Sequence, residues 1–122
     1  MLKTLKYILQ ANEFLHLPHK MRRIVFYSEG KNYWPIFTGL VVGILNQSNL
    51  NICYLTSSKD DPGFKYSNKQ FKSFLIDDSY VRNWLFENMQ ADVFILTMPD
   101  LNNYQLKRSK YPVHYIYVQH NL

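Results

Sequence analysis

Five short apolar runs limit the fold of this chain more than any other feature. They lie in "RIVFYSEG", "LNICYLTS", "FKSFLI", "DVFILT" and "VHYIYVQ", each of strand length and flanked by turn-forming residues. Ile24, Val25, Phe26 and Tyr27 form an unbroken apolar run, which suits a strand covered on both faces, as in a parallel sheet. Between the first two runs, "WPIFTGLVVGILNQ" reads as a helix with Pro35 in its first turn and an exit at Asn46 to Asn49. The handedness rule makes this a right-handed βαβ unit. Downstream, "SKDDPGFKYSNKQ" reads as a loop built around Asp61-Pro62-Gly63, and "SYVRNWLFENM" as a helix with Ser79 at its N-cap. Strands alternating with helices predict a three-layer, Rossmann-like α/β domain over residues 21–122, with a mostly parallel sheet of about five strands.

Residues 1–20 precede this domain as an amphipathic helix. Leu2, Leu5, Ile8, Leu9 and Leu15 recur at helical spacing, Lys3, Lys6 and Glu13 fall mostly elsewhere, and Pro18 ends the segment. The expectation is a helix docked on its own domain, because the apolar stripe is narrow and no Trp anchors it. The alternative, with Lys20, Arg22 and Arg23 beyond it, is a helix lying on an anionic membrane surface. No apolar run approaches the ~20 residues needed to span a bilayer. The expected setting is therefore cytoplasmic, or peripheral at the inner face of the cell membrane.

A chain of 122 residues with 47% apolar content is one domain with material for a core. Its net charge of +5 favours anionic partners without selecting one. Cys53 is the single cysteine, which excludes an internal disulfide and any multi-cysteine metal site. Set among strand residues, it reads as a small buried hydrophobe rather than a nucleophile.

The turn after the first strand, "SEGKNYWP", has one glycine, so neither a dinucleotide fingerprint nor a P-loop is present. Ser28, Glu29 and Gly30 nevertheless lie at a strand's carboxyl end, where ligands of parallel sheets bind, and are candidate substrate contacts beside the plainer reading of a simple turn. Asp60 and Asp61 are a candidate cation pair, but D-D-P-G is also an ordinary turn. His16 and His19 have helical ligand spacing, yet Pro18 breaks the helix that would align them. No metal or cofactor is expected.

The last third carries most of the candidates. Pro99 stops the fourth strand, leaving Asp100 in the loop at the carboxyl edge, and "LKRSKYP" brings Lys107, Arg108 and Lys110 to the start of the fifth. Such cations are either a solvated connection or phosphate contacts. Alternation places His114, Ile116, Val118 and His120 on one face of the fifth strand. His114 lies near its start and reads as structural. His120 lies at the ligand edge, as a packing residue or a catalytic one.

Four stretches, "RIVFYSEGKNYWPIF", "ICYLTSSKDDPG", "ADVFILTMPDL" and "LKRSKYPVHYIYVQH", resemble the amino-terminal part of the CDP-glycerol glycerophosphotransferases of teichoic-acid and related surface-polymer synthesis. The Thr-Met-Pro-Asp-Leu segment followed by Lys-Arg-Ser and the aromatic strand is the most distinctive. The resemblance implies the amino-terminal half of a GT-B fold, with a polyol- or sugar-phosphate acceptor on this domain and CDP-glycerol mainly on a carboxyl-terminal one. It implies His120 as the general base and Ser28, Glu29, Asp100, Lys107 and Arg108 as substrate contacts. Because the sequence stops at Leu122, the expectation is a chain lacking the donor-binding domain and inactive alone. The competing expectation is a non-enzymatic basic α/β module that binds a membrane surface or another polyanion. Nucleic acid is not expected, since the aromatics sit in apparent core strands.

Overall fold

The structure is a computed structural model and describes residues 2–97 and 108–118. Five strands, β1 (Ile24–Ser28), β2 (Ile52–Thr56), β3 (Phe71–Leu75), β4 (Val93–Thr97) and β5 (His114–Val118), form one sheet in the order β3-β2-β1-β4-β5. Every pairing is parallel. The α/β, Rossmann-like arrangement expected from the alternating runs is what the chain adopts. Helices α1 (Leu2–Leu15) and α4 (Ser79–Glu87) cover one face, and α2 (Trp34–Gln47) and α3 (Pro62–Lys65) the other.

Strand alternation sorts side chains between two cores. Val25, Tyr27, Cys53, Leu55, Phe94 and Leu96 face α1 and α4, whereas Phe26, Ile52, Tyr54 and Ile95 face α2. At the β5 edge, Tyr115 and Tyr117 pack against the first core, and Ile116 remains 39% exposed. Cys53 is buried, donates its S–H to the carbonyl of Met21 at 3.1 Å, and has its pKa pushed up to about 12 by burial. At neutral pH it is therefore a protonated, inert thiol.

Three local expectations change. The segment read as a loop contains α3, because Asp61 caps it through Gly63 N (2.9 Å) and Pro62 supplies a preset first turn. The cap of α4 is Asp78 rather than Ser79; its carboxylate accepts from Tyr80 N at 2.9 Å and Val81 N at 3.0 Å. Thr4 also donates to Asp78 at 3.3 Å, tying α1 to α4. The third change concerns α1, which docks on its own domain as expected but through a different face. Ala11 and Phe14 are fully buried, with the Phe14 ring edge-on to Phe74 at 5.7 Å, while Leu2 is 82% and Leu9 60% exposed. A small Ala beside a large ring permits closer packing on the sheet than a row of leucines. Beside this helix, which has no Trp of its own, Trp84 of α4 shares an apolar groove with Thr4 and Ile8.

The amino edge is pinned by ions. Asp92 accepts from Arg23 Nε at 2.7 Å and lies 3.0 Å from His19 Nε2. The Arg23 hydrogen bond, and the nearby His19, hold its carboxyl below the usual range. This contribution to stability is complete above the ordinary carboxylate range and is lost as pH falls through the lowered value. Among the described residues, no helix is long and apolar enough to cross a membrane.

Candidate functional site

The chain leaves β1 toward β2 and later crosses back to place β4 on its other side. The carboxyl ends of β1 and β4 therefore mark the switch in strand order, where open parallel sheets form a ligand crevice. Three strands end in hydroxyl residues there. Ser28 is in register with Thr56, and continuing the β1–β4 register brings Thr97 to the same level. All three are buried.

Two of these hydroxyls, Ser28 and Thr56, are spent on shaping the edge. Ser28 donates to Gly30 O at 2.9 Å and accepts from Gly30 N at 3.3 Å, which closes the turn after β1 on itself. Thr56 donates to the buried carboxylate of Asp61 at 2.7 Å. Tyr54 adds its own hydroxyl to that carboxylate at 3.0 Å, and Asp61 thus gathers donors from β2 and from α3. The Tyr54 hydroxyl is pushed above its usual range by burial, with Asp61 adding in the same direction. On the opposite face, Tyr27 and Ser57 hydroxyls meet at 2.6 Å, and Ser57 donates onward to Ile76 O at 3.1 Å. Ser57 N also donates to Ser28 O at 3.1 Å, so the loops after β1 and β2 are stitched together.

After β1, the edge offers a ligand backbone and the exposed side chains of the first turn. Glu29 and Lys31 are exposed. Tyr33 stands by Glu29; burial, and then the Glu29 charge, raise its hydroxyl pKa. A rigid turn presenting one carboxylate and one ammonium group can orient a polar, hydroxyl-bearing ligand.

The sequence candidates separate in space. Ser28 and Glu29 lie at the carboxyl edge, Ser28 enclosed and Glu29 open. Arg108 lies before the start of β5, stacked over the Tyr115 ring at 4.3 Å. Its neighbours Ser109 and Lys110 bond to the carbonyls of Met89 (2.6 Å) and Glu87 (2.9 Å), at the end of α4. That is the amino side of the sheet, a strand length from Ser28. Asp100, Lys107 and His120 lie outside the described residues. His16 donates to Asn12 O at 2.8 Å whereas His19 faces Asp92, so the two imidazoles are engaged apart. Asp60 is exposed and Asp61 buried, and among the described residues no group of three or more His, Cys, Asp or Glu gathers as metal ligands would.

Two features of this site go beyond the sequence reading. The row Ser28, Thr56 and Thr97 had a legible signal, since each of these strands ends in Ser or Thr. The buried Asp61 carboxylate had none, because its partners depend on the tertiary path of β2. Compared with protein-family models, curated proteins and solved structures, the chain matches none.

Proposed function

We propose that this chain supplies the acceptor-binding side of a CDP-glycerol glycerophosphotransferase-like enzyme. The observation that carries the reading is the switch in strand order between β1 and β4. Two of the four resembling stretches, "RIVFYSEGKNYWPIF" and "ADVFILTMPDL", contain the strands that end side by side there. A third contains β5, whose Val118 is in register with Thr97, and His120 follows two residues later in sequence. In this reading Glu29, rather than the enclosed Ser28, contacts an acceptor hydroxyl. His120 takes that hydroxyl's proton, the oxygen attacks the β-phosphorus of CDP-glycerol, and the bond to the bridging oxygen breaks to release CMP. Imidazole suits this work because its pKa starts near ambient pH. The transferring phosphoryl group needs positioned positive charge as well, which the reading assigns to a donor-binding domain.

The test has two arms. The 122-residue chain alone is expected to release no CMP from CDP-glycerol, and robust turnover would defeat the need for a second domain. In an assembly that includes such a domain, His120→Ala is expected to lower transfer by about 10²–10⁴-fold without loss of fold. Wild-type rates in that variant would remove His120 from the mechanism.

A second reading is favoured by the outer face of α1. Leu2, Leu5 and Leu9 are 82%, 51% and 60% exposed, with Trp84 and Tyr80 of α4 alongside. In this reading the face rests on an anionic membrane surface. Flotation with vesicles rich in phosphatidylglycerol checks it. The chain is expected to float, less so at high salt, and Leu5→Glu/Leu9→Glu to stay at the bottom of the gradient. Equal flotation of the two proteins would rule the face out.

A further inference from the structure

A concavity lies between α1 and the segments that follow β2 and β3. The first turns of α1, the loop between β2 and α3, and the end of β3 enclose a groove of about 570 Å³. This falls within the ~300–1,000 Å³ usual for small-molecule sites. Lys3 and Lys6 enter it from successive turns of α1, and Lys59 enters from the β2–α3 loop. None of the three forms an ion pair with a described residue, in contrast to Lys72, which Glu13 holds at 2.7 Å. Three lysines from two distant segments that line one space, none held in an ion pair with a described residue, are the elements of a phosphate site.

The groove is built on a fixed element. Gln10 of α1 accepts from the backbone N–H of Leu75 at 3.1 Å, and Phe14 is buried against Phe74, so the lysines stand on a docked helix. The rest of the lining narrows the ligand. Tyr7, Phe64 and Leu75 provide an apolar wall for a flat body. Asp60 and Asp77 also line the space, and their carboxylates oppose a polyanion while accepting hydrogen bonds from hydroxyl groups. Three positive charges against two negative ones leave room for one phosphate on a neutral, hydroxyl-bearing body.

We propose that this groove binds a phosphate monoester with an aromatic, hydroxyl-bearing body, the chemistry of a nucleoside monophosphate. Lys3, Lys6 and Lys59 surround the phosphate, Tyr7 and Phe64 flank the ring, and Asp60 and Asp77 receive the hydroxyls. Its occupancy is read by direct binding without CDP-glycerol, so its test is independent of the transfer reaction.

Calorimetric and NMR titration of the 122-residue chain with AMP, adenosine, inorganic phosphate and phosphatidylglycerol vesicles tests it. The expected result is saturable AMP binding, with adenosine and inorganic phosphate each at least about tenfold weaker. Lys3→Ser/Lys6→Ser/Lys59→Ser is expected to weaken AMP by about tenfold or more. Lys20→Ser/Lys69→Ser, which removes two positive charges from exposed lysines away from the groove, serves as the control for lost surface charge and keeps full affinity. All five lysines are exposed, so both variants are expected to fold, as circular dichroism checks. Leu5→Glu/Leu9→Glu also retains AMP binding, which separates the groove from the membrane face. Absence of saturation, equal affinity in the groove variant, inorganic phosphate binding as tightly as AMP, or binding to vesicles alone would each overturn the proposal.

Discussion

Asp61→Ala is expected to destabilise the fold by about 3–5 kcal/mol, the cost of stranding several buried donors at once. The carboxylate accepts from Tyr54 (3.1 and 3.0 Å to its two oxygens), Thr56 (2.7 Å) and Gly63 N (2.9 Å), and is itself fully buried. Ala removes the acceptor and leaves all three donors in a space that the surrounding rings close to water. Trp34, Phe37 and Phe71 pack on Tyr54 at 5.5, 6.4 and 5.5 Å. Movement of α3 cannot repair the loss, since a Cβ on Gly63 would come within 2.4 Å of the Tyr54 ring and the helix is already in contact there. Asp61→Asn keeps one acceptor oxygen, and is expected to cost less than half as much. Urea denaturation measures both: the midpoint should fall with the slope unchanged. A loss below about 1 kcal/mol for Asp61→Ala would mean that water reaches these donors.

Phe94→Ala is expected to cost about 3–5 kcal/mol and to act most strongly on β5. Phe94 is fully buried in β4, edge-on to Phe86 at 5.1 Å and tilted against Tyr115 at 5.8 Å. Tyr115 in turn accepts from Ser109 N at 2.7 Å and carries Arg108 over its ring, so one aromatic chain joins α4, β4, β5 and the segment before β5. Removal of the central ring leaves a cavity and detaches an edge strand held by one neighbour. Amide exchange at Tyr115–Val118 should accelerate before that of β1. Uniform acceleration through both strands would show instead that β5 and the core open as one unit.

The fold was legible where a residue's role depends on near neighbours. Pro35 and the Asn46–Asn49 exit mark α2 because helix ends are local chemistry, and the strands show through because parallel strands buried on both faces are apolar throughout. The face of α1 was misread for a complementary reason. Leucine periodicity reports a stripe, but docking follows shape, and Ala11 with Phe14 fits the sheet better than Leu5 with Leu9. In "DDSY" several consecutive residues can cap a helix, and only the backbone path selects Asp78. At the candidate site, the strand-end position of Ser28 and Glu29 was readable from order alone. The separation of Arg108 from them was not, since it depends on where the segment before β5 packs. The lysines of the groove come from α1 and a loop more than fifty positions away, and no linear pattern joins them.

The central place of β1 has a consequence for synthesis. Ile24 pairs with Ile52 on one side and with Val93 on the other, so the first side can be satisfied as soon as the βαβ unit emerges, while the second waits for β4. At ~5–20 residues per second, β4 follows β1 from the ribosome by about 4–14 s. Throughout that interval the nascent chain presents an unpaired parallel edge in the middle of its future core. Strand edges of this kind attract other strands, which makes the half-made chain, rather than the finished domain, the natural client of a chaperone.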